Sequence, residues 1–298
     1  MNLDPIHDLR GKQVSCTITD CVTHIDGLTI AGKRATTPNA RHRILAVHGW
    51  LDNANSFVPL MSLIDDIDLV AVDLPGHGQS SHLHKGAHYH FVDTPGYIFQ
   101  VAEKLGWMDF HWLGHSLGGC LAPFAAVERP ATISSIMMLE ASGPLTEDPE
   151  KIPDRLAKSS EELRDSSRFK SRLFPTIEAA VNARLRATGM DPESARLIVE
   201  RQLELTPDGY RWCFDPRHRM TSPIYLTEPQ VLAVLRRVEC PALVVTADSG
   251  YLADRAETIT RLEQLSHCEQ QQVSGQHHMH MDNPEPVAAA INQFLEQL

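Results

Sequence analysis

No segment of the 298-residue chain holds the roughly 18 consecutive apolar residues that a membrane-spanning helix needs. The first eight residues, Met1 to Asp8, carry neither a basic cluster nor an apolar stretch, which excludes a secretory signal there and makes a cytoplasmic location the expectation. Positive charge is scarce: 27 Lys and Arg stand against 38 Asp and Glu, a formal net charge of −11. Such a surface repels phosphate backbones and anionic headgroups, so nucleic acid and membrane are not the expected partners, and a small-molecule substrate is. Cysteine is sparse, and none of the six (Cys16, Cys21, Cys120, Cys213, Cys240, Cys268) has C-x-x-C spacing. Without an export signal they read as reduced, mostly buried thiols, the alternative being a short Cys16–Cys21 bridge. Repeats and low-complexity tracts are absent, and the apolar fraction of 42% is ordinary for a soluble globular protein.

What is present is a series of short apolar strands separated by helix-length segments. Residues 12–35 alternate around Asp26-Gly27 and read as a β-hairpin. Residues 43–47, 69–72, 110–114, 133–139 and 242–246 are continuous apolar runs of the kind buried on both faces of a parallel sheet, and Gln271-Gln272-Val273 reads as a last short strand. Between about Gly143 and Glu228 the strand runs stop. Helical periodicity appears at Ile177–Leu185 and Ser194–Leu203, punctuated by prolines, so 143–228 reads as a helical insertion into a core made of 1–142 and 229–298.

The chemistry centres on Gly114-His115-Ser116-Leu117-Gly118-Gly119. Gly-x-Ser-x-Gly between a buried strand and a small-residue helix start lifts a serine onto a sharp turn, beside the free N–H groups of a helix N-terminus. A serine hydroxyl is a weak nucleophile, so it needs a histidine base, an acid to orient that base, and donors for the oxyanion. The base candidates lie in Gly275-Gln276-His277-His278-Met279-His280-Met281, and His277, first after the Gly275 turn, is preferred to His278 and His280. The Leu117 N–H is one expected oxyanion donor. The other is the Trp50 N–H, since the first buried strand runs directly into His48-Gly49-Trp50 and the glycine permits the turn. Either Glu140 or Asp248 can supply the acid, because each follows a buried strand at the sheet edge where α/β sites form. His48, Gly49 and His115 around these turns, with Tyr210 and Trp212 in the insertion, are candidate substrate-lining residues; the last two can equally hold the insertion together. His82, His84, His88 and His90 have His-x-His spacing, but no carboxylate or cysteine obviously completes a metal site, and a solvated loop is preferred. No metal and no cofactor is expected.

These motifs together resemble the α/β-hydrolase fold, in its capped branch with serine hydrolase-like proteins, epoxide hydrolases, haloalkane dehalogenases and C–C bond hydrolases. The resemblance rests on His48-Gly49-Trp50-Leu51-Asp52-Asn53, Asp73-Leu74-Pro75-Gly76-His77-Gly78-Gln79-Ser80, Gly114–Gly119, and Gly275–Met281 with Asn283-Pro284-Glu285. The first of these is closest to the serine hydrolase-like group. The resemblance implies a mostly parallel sheet flanked by helices, with a helical cap inserted after the strand that follows the nucleophile helix. It also bears on the acid. Where the family usually has Gly-x-x-Asp, this chain reads Ala247-Asp248-Ser249-Gly250, with glycine at the acid position. Dehalogenase-like relatives can place a glutamate after the preceding strand, and Glu140 lies 24 residues beyond Ser116; Glu140 is therefore preferred, with Asp248 as the alternative.

Dehalogenase and epoxide hydrolase chemistry passes through an alkyl ester on aspartate, and the serine here would form an ether that water does not cleave. Acyl transfer suits a serine with an oxyanion hole. The expectation is a carboxylesterase-like serine hydrolase acting on small or medium apolar acyl groups. A C–C bond hydrolase of a vinylogous diketone, or a non-catalytic ligand receptor, are the alternatives; the broken Gly-x-x-Asp frame is the feature that favours the receptor.

Overall fold

Alternate residues of the apolar strands must each find a different partner, and the computed structural model shows where they go. It describes residues 16–253 and 255–298. Strands β1 (Thr17–Ile25), β2 (Leu28–Thr36), β3 (His42–Val47), β4 (Ile67–Val72), β5 (Phe110–His115), β6 (Ile133–Leu139), β10 (Ala242–Ala247) and β11 (Cys268–Val273) form one sheet in the order β1-β2-β4-β3-β5-β6-β10-β11. From β4 to β11 all neighbours are parallel, and β2 runs antiparallel to both β1 and β4. The expected hairpin is β1–β2, closed by Asp26 and Gly27, the latter at φ +71° as a two-residue turn requires. Val14, taken as part of that hairpin, lies outside the described residues.

Leu45, Val47, Trp112 and Met138 face one side of the sheet, where helices α2 (Thr94–Leu105), α3 (Leu117–Glu128), α7 (Glu228–Leu235) and α8 (Ala256–Leu262) cover them. Ile44, Ala46, Leu113 and Met137 face the other, under α1 (Val58–Met61) and α10 (Pro284–Leu295), with α9 (Met279–Asp282) at its edge. Burial on both faces explains the unbroken apolar runs. The parallel registers set His115 opposite Leu139, Leu139 opposite Val245 and Ala247 opposite Val273. Four consecutive strands therefore end along one edge, and the loops that follow them share it.

The insertion contains α4 (Ile152–Arg164), α5 (Ile177–Thr188) and α6 (Pro192–Gln202), but it is not purely helical. A second sheet, β7 (Leu173–Phe174), β8 (Leu203–Thr206) and β9 (Gly209–Trp212), runs antiparallel in the order β7-β9-β8. Its own core gathers Phe174, Val181, Ile198 and Val199, and Met281 from the core domain joins it. The cap is bolted down by charge: Arg201 of α6 pairs with Asp73, which also accepts from the Ala54 and Gln79 N–H groups at 2.7 and 2.9 Å. Gly78, at φ +49°, has no room for a Cβ beside the Asp73 carboxylate. The Asp73–Ser80 motif thus serves as an anchor for the cap. The six cysteines are free and half-buried rather than fully buried. Among the described residues, no helix is long and apolar enough to cross a membrane.

Candidate active site

Ser116 sits between β5 and α3 at φ +50°, ψ −113°, a conformation that costs an L-residue roughly 1–3 kcal/mol and persists only when its surroundings impose it. Three glycines let that happen. A Cβ on Gly114 would meet the Gly118 carbonyl at 2.2 Å, one on Gly118 the Val47 carbonyl oxygen at 1.9 Å, and one on Gly119 the Ala141 side chain at 2.5 Å. The Ser116 N–H donates to the Leu139 carbonyl at 2.9 Å, tying the elbow to the next strand. The hydroxyl does not cap α3, so it is left for chemistry, and the Leu117 N–H is one of the helix's first amides, which no helical carbonyl accepts.

One strand along, Glu140 leaves β6 in the left-handed region at φ +49°, 2% exposed. Its carboxylate accepts the Ala247 N–H at 2.8 Å and the Tyr251 N–H at 2.8 Å, and faces His277 Nδ1 at 3.3 Å. A carboxylate only accepts, so Nδ1 carries the proton and Nε2 keeps a lone pair. Burial works to raise the Glu140 carboxyl, but the His277 bond and the two N–H donors outweigh it and hold the group below its ordinary value. Burial likewise lowers His277, and Glu140 draws it only part of the way back, so the ring stays neutral at pH 7. The Tyr251 ring stacks on His277 with centroids 4.1 Å apart. Tyr251 was not singled out from the sequence; a tyrosine one position after the vacant acid site carries no signal of its own.

Gly250 explains the broken frame. A Cβ there would lie 2.3–2.5 Å from all three atoms of the Glu140 carboxylate. The two positions compete for one space: with Glu140 filling it from β6, residue 250 must be glycine. Asp248 is exposed and accepts from the Gly275 N–H at 3.1 Å, which shapes the loop carrying His277 without reaching its ring.

The turn after β3 packs directly on the elbow. A Cβ on Gly49 would lie 3.1 Å from His115 Nδ1 and 3.3 Å from the Ser116 Cβ, so the Gly49-Trp50 backbone passes beside Ser116. Trp50 is 54% exposed, and its ring donates to the His218 carbonyl at 3.2 Å. Ser116 Oγ and His277 Nε2 are not hydrogen-bonded to each other; a contact of this kind is often long and tightens around substrate.

Several candidate lining residues are placed elsewhere. His48 is fully buried, with Nδ1 against the Gly49 carbonyl at 2.7 Å and Nε2 accepting the Leu74 N–H at 3.0 Å, so both ring nitrogens serve the fold. His115 is also fully buried and donates from Nε2 to the His277 carbonyl at 2.8 Å, bracing the loop that carries His277. Trp212 packs on Phe174 and Phe214, with centroids 5.1 and 6.0 Å apart, and Tyr210 belongs to the same cap core, so this pair holds the cap together. The His82–His90 loop does not converge on a ligand set: His82 Nε2 meets the Cys213 carbonyl at 2.8 Å, and His88 and His90 pair with each other. Among the described residues, Asp52, His115 and His278 bring one ligand-type atom each within 4.8 Å of one another. The Arg184 guanidinium already neutralises Asp52, so a divalent cation there would leave two uncompensated buried charges.

With this geometry in view, relatives can be placed. The family model for the alpha/beta hydrolase fold matches residues 43–284, and the chain belongs to that family. Among known proteins, it is 29% identical over 276 residues to a serine hydrolase-like protein of Danio rerio, spanning 87% of this chain and 83% of the other. A probable serine hydrolase of Drosophila melanogaster is 29% identical over 270 residues, 86% of this chain and 82% of the other. The solved structure of the hypothetical protein PA1622 from Pseudomonas aeruginosa PAO1 is 33% identical and superposes with a TM-score of 0.87 over 93% of this chain and 98% of that one. A thioesterase domain from the curacin biosynthetic pathway, 24% identical, shares the fold with a TM-score of 0.81 over 92% and 99% of the two chains.

Proposed function

We propose that the chain is a cofactor-free serine hydrolase that cleaves carboxylic esters of small or medium apolar acyl groups through an acyl-enzyme. The observation that carries this reading is the buried Glu140 carboxylate on His277 Nδ1, at the same sheet edge as Ser116, with Glu140 on the strand beside the one that leads to Ser116. Ser116 Oγ attacks the ester carbonyl as His277 Nε2 takes its proton. The Trp50 and Leu117 N–H groups receive the developing oxyanion, and Glu140 stabilises the imidazolium that forms. His277 then protonates the alcohol as the C–O bond breaks. Water, deprotonated by the same nitrogen, adds to the acyl-enzyme, and collapse releases the acid and restores the serine. Exposed Trp50 and Tyr251, on the oxyanion turn and against the His277 ring, offer apolar surface to an acyl group.

The receptor reading drew on the missing Gly-x-x-Asp, and Glu140 occupies the space that aspartate would fill, which removes that support. The test is turnover of p-nitrophenyl acetate and butyrate by wild type and Ser116→Ala. The reading expects saturable hydrolysis that falls by at least 1,000-fold in the variant; equal rates would end it.

A further inference from the structure

The oxyanion turn is held from above by the cap. Leu51, next to Trp50, adopts φ +57°, a left-handed conformation with no glycine to excuse it. Two cap side chains converge on it. Arg184 of α5 donates from Nη1 to the Leu51 carbonyl at 3.0 Å, and Gln202 of α6 donates from Nε2 to the same carbonyl at 3.0 Å and to the Asp52 carbonyl at 3.4 Å. Arg184 Nη2 also pairs with Asp52 Oδ1. The other carboxylate oxygen of Asp52 faces His115 Nδ1 at 3.6 Å and His278 Nε2 at 3.5 Å. His115 immediately precedes Ser116, and His278 immediately follows His277. Asp52 is 1% exposed, and burial works against its charge, but the Arg184 guanidinium and the His278 imidazole hold the carboxyl well below its ordinary range. One carboxylate therefore touches the nucleophile elbow, the base loop, the oxyanion turn and the cap.

We propose that Arg184 and Gln202 are positioning residues that fix the Trp50–Asp52 turn, so that docking of the cap completes the oxyanion hole. The proposal rests on the serine hydrolase reading above for its catalytic consequence, but its structural half stands apart. Leu51 left to itself relaxes toward negative φ, and the chain before it must shift to follow, which carries the Gly49–Trp50 peptide and its Trp50 N–H off the oxyanion. The interaction lost is one made in the transition state, so kcat suffers and KM does not.

The experiment compares Arg184→Met, Arg184→Lys and Gln202→Ala with wild type. Gln202→Ala removes no charge, so it keeps the test alive if Arg184→Met, which strands a buried carboxylate, fails to fold. We expect kcat for p-nitrophenyl acetate to fall about 10- to 100-fold in Arg184→Met and about 5-fold in Gln202→Ala, with KM within 3-fold. Arg184→Lys should recover part of the loss. Inhibition by phenylboronic acid, whose serine adduct carries the tetrahedral oxygen, should weaken in parallel, while the acid limb of the pH profile stays in place. Amide exchange measured by mass spectrometry should quicken in residues 48–56 of both variants. Exchange and kcat both at wild-type values would overturn the proposal, as would faster exchange with unchanged kcat, which makes the contacts merely structural. Stoichiometric Zn2+ binding that Asp52→Asn abolishes would also overturn it, by giving the carboxylate to a metal. If wild type neither turns over ester nor binds phenylboronic acid, the hydrolase reading fails, and the exchange data alone decide whether the cap holds the turn.

Discussion

Replacing Gly250 with alanine puts a methyl carbon 2.3–2.5 Å from Cδ, Oε1 and Oε2 of Glu140, about 1 Å short of ordinary van der Waals contact. The carboxylate has to retreat by about that distance. Its hydrogen bond to His277 Nδ1 starts at 3.3 Å, so the retreat takes it past 4 Å and ends the bond. The imidazole then loses both its tautomer control and the counter-charge for its protonated form. Removing the acid of a Ser-His-acid triad costs on the order of 10,000-fold in kcat. Displacing it, with the carboxylate still nearby, should cost about 100- to 1,000-fold. Steady-state hydrolysis of p-nitrophenyl butyrate by wild type, Gly250→Ala, Glu140→Gln and Asp248→Asn ranks the positions, with circular dichroism melts to confirm folding. Asp248→Asn should stay within about 3-fold of wild type. The same geometry predicts a rescue: in Glu140→Gly, which removes the acid and relieves the positive φ, adding Gly250→Asp delivers a carboxylate into the vacated space and should restore at least about 10-fold over the single variant. Wild-type turnover by Gly250→Ala, or a larger loss in Asp248→Asn than in Glu140→Gln, would refute the reasoning and hand the role to Asp248.

Three further outcomes are expected. The pH profile of kcat/KM should lose activity on the acid side with a midpoint below 6.5, because burial lowers His277 and only its neutral form accepts the serine proton. Folding stability should drop as pH falls from 7.5 to 5: burial holds His111 and His218 at about 4, so below 6.5 the unfolded chain binds protons that the folded state refuses, a loss of up to about 2 kcal/mol per ring at pH 5 in urea titrations. Gly118→Ala, whose Cβ would lie 1.9 Å from the Val47 carbonyl oxygen, should cost more than about 3 kcal/mol or prevent folding; a melting temperature within 2 °C of wild type would show that the elbow has slack.

The strands and the elbow were readable because their causes are local. A strand buried on both faces is apolar at every position, and a turn with no room for Cβ demands glycine at fixed spacing, so 43–47, 110–114 and Gly114–Gly119 announce themselves. The small cap sheet did not. Its strands are two to four residues long, and in β8 they alternate charge with leucine much as a helix surface does. Tyr210 and Trp212 could be noticed, but whether they faced substrate or Phe174 depended on packing that spacing does not encode. The preference for Glu140 over Asp248 came only through family resemblance, and the shared volume of Glu140 and Gly250 exists only in three dimensions. The hub at Asp52 joins side chains from four separate segments, and no pattern along the chain marks it.

Whether Ser116 is an activated nucleophile is the claim on which the rest depends, and a fluorophosphonate probe tests it most directly. The probe is mixed with purified protein near pH 8, and the modified peptide is mapped by mass spectrometry. Phosphonylation of Ser116 should be stoichiometric, abolished in Ser116→Ala and slowed at least 100-fold in His277→Ala. An unmodified Ser116 in folded protein, or equal labelling in the His277 variant, would contradict it.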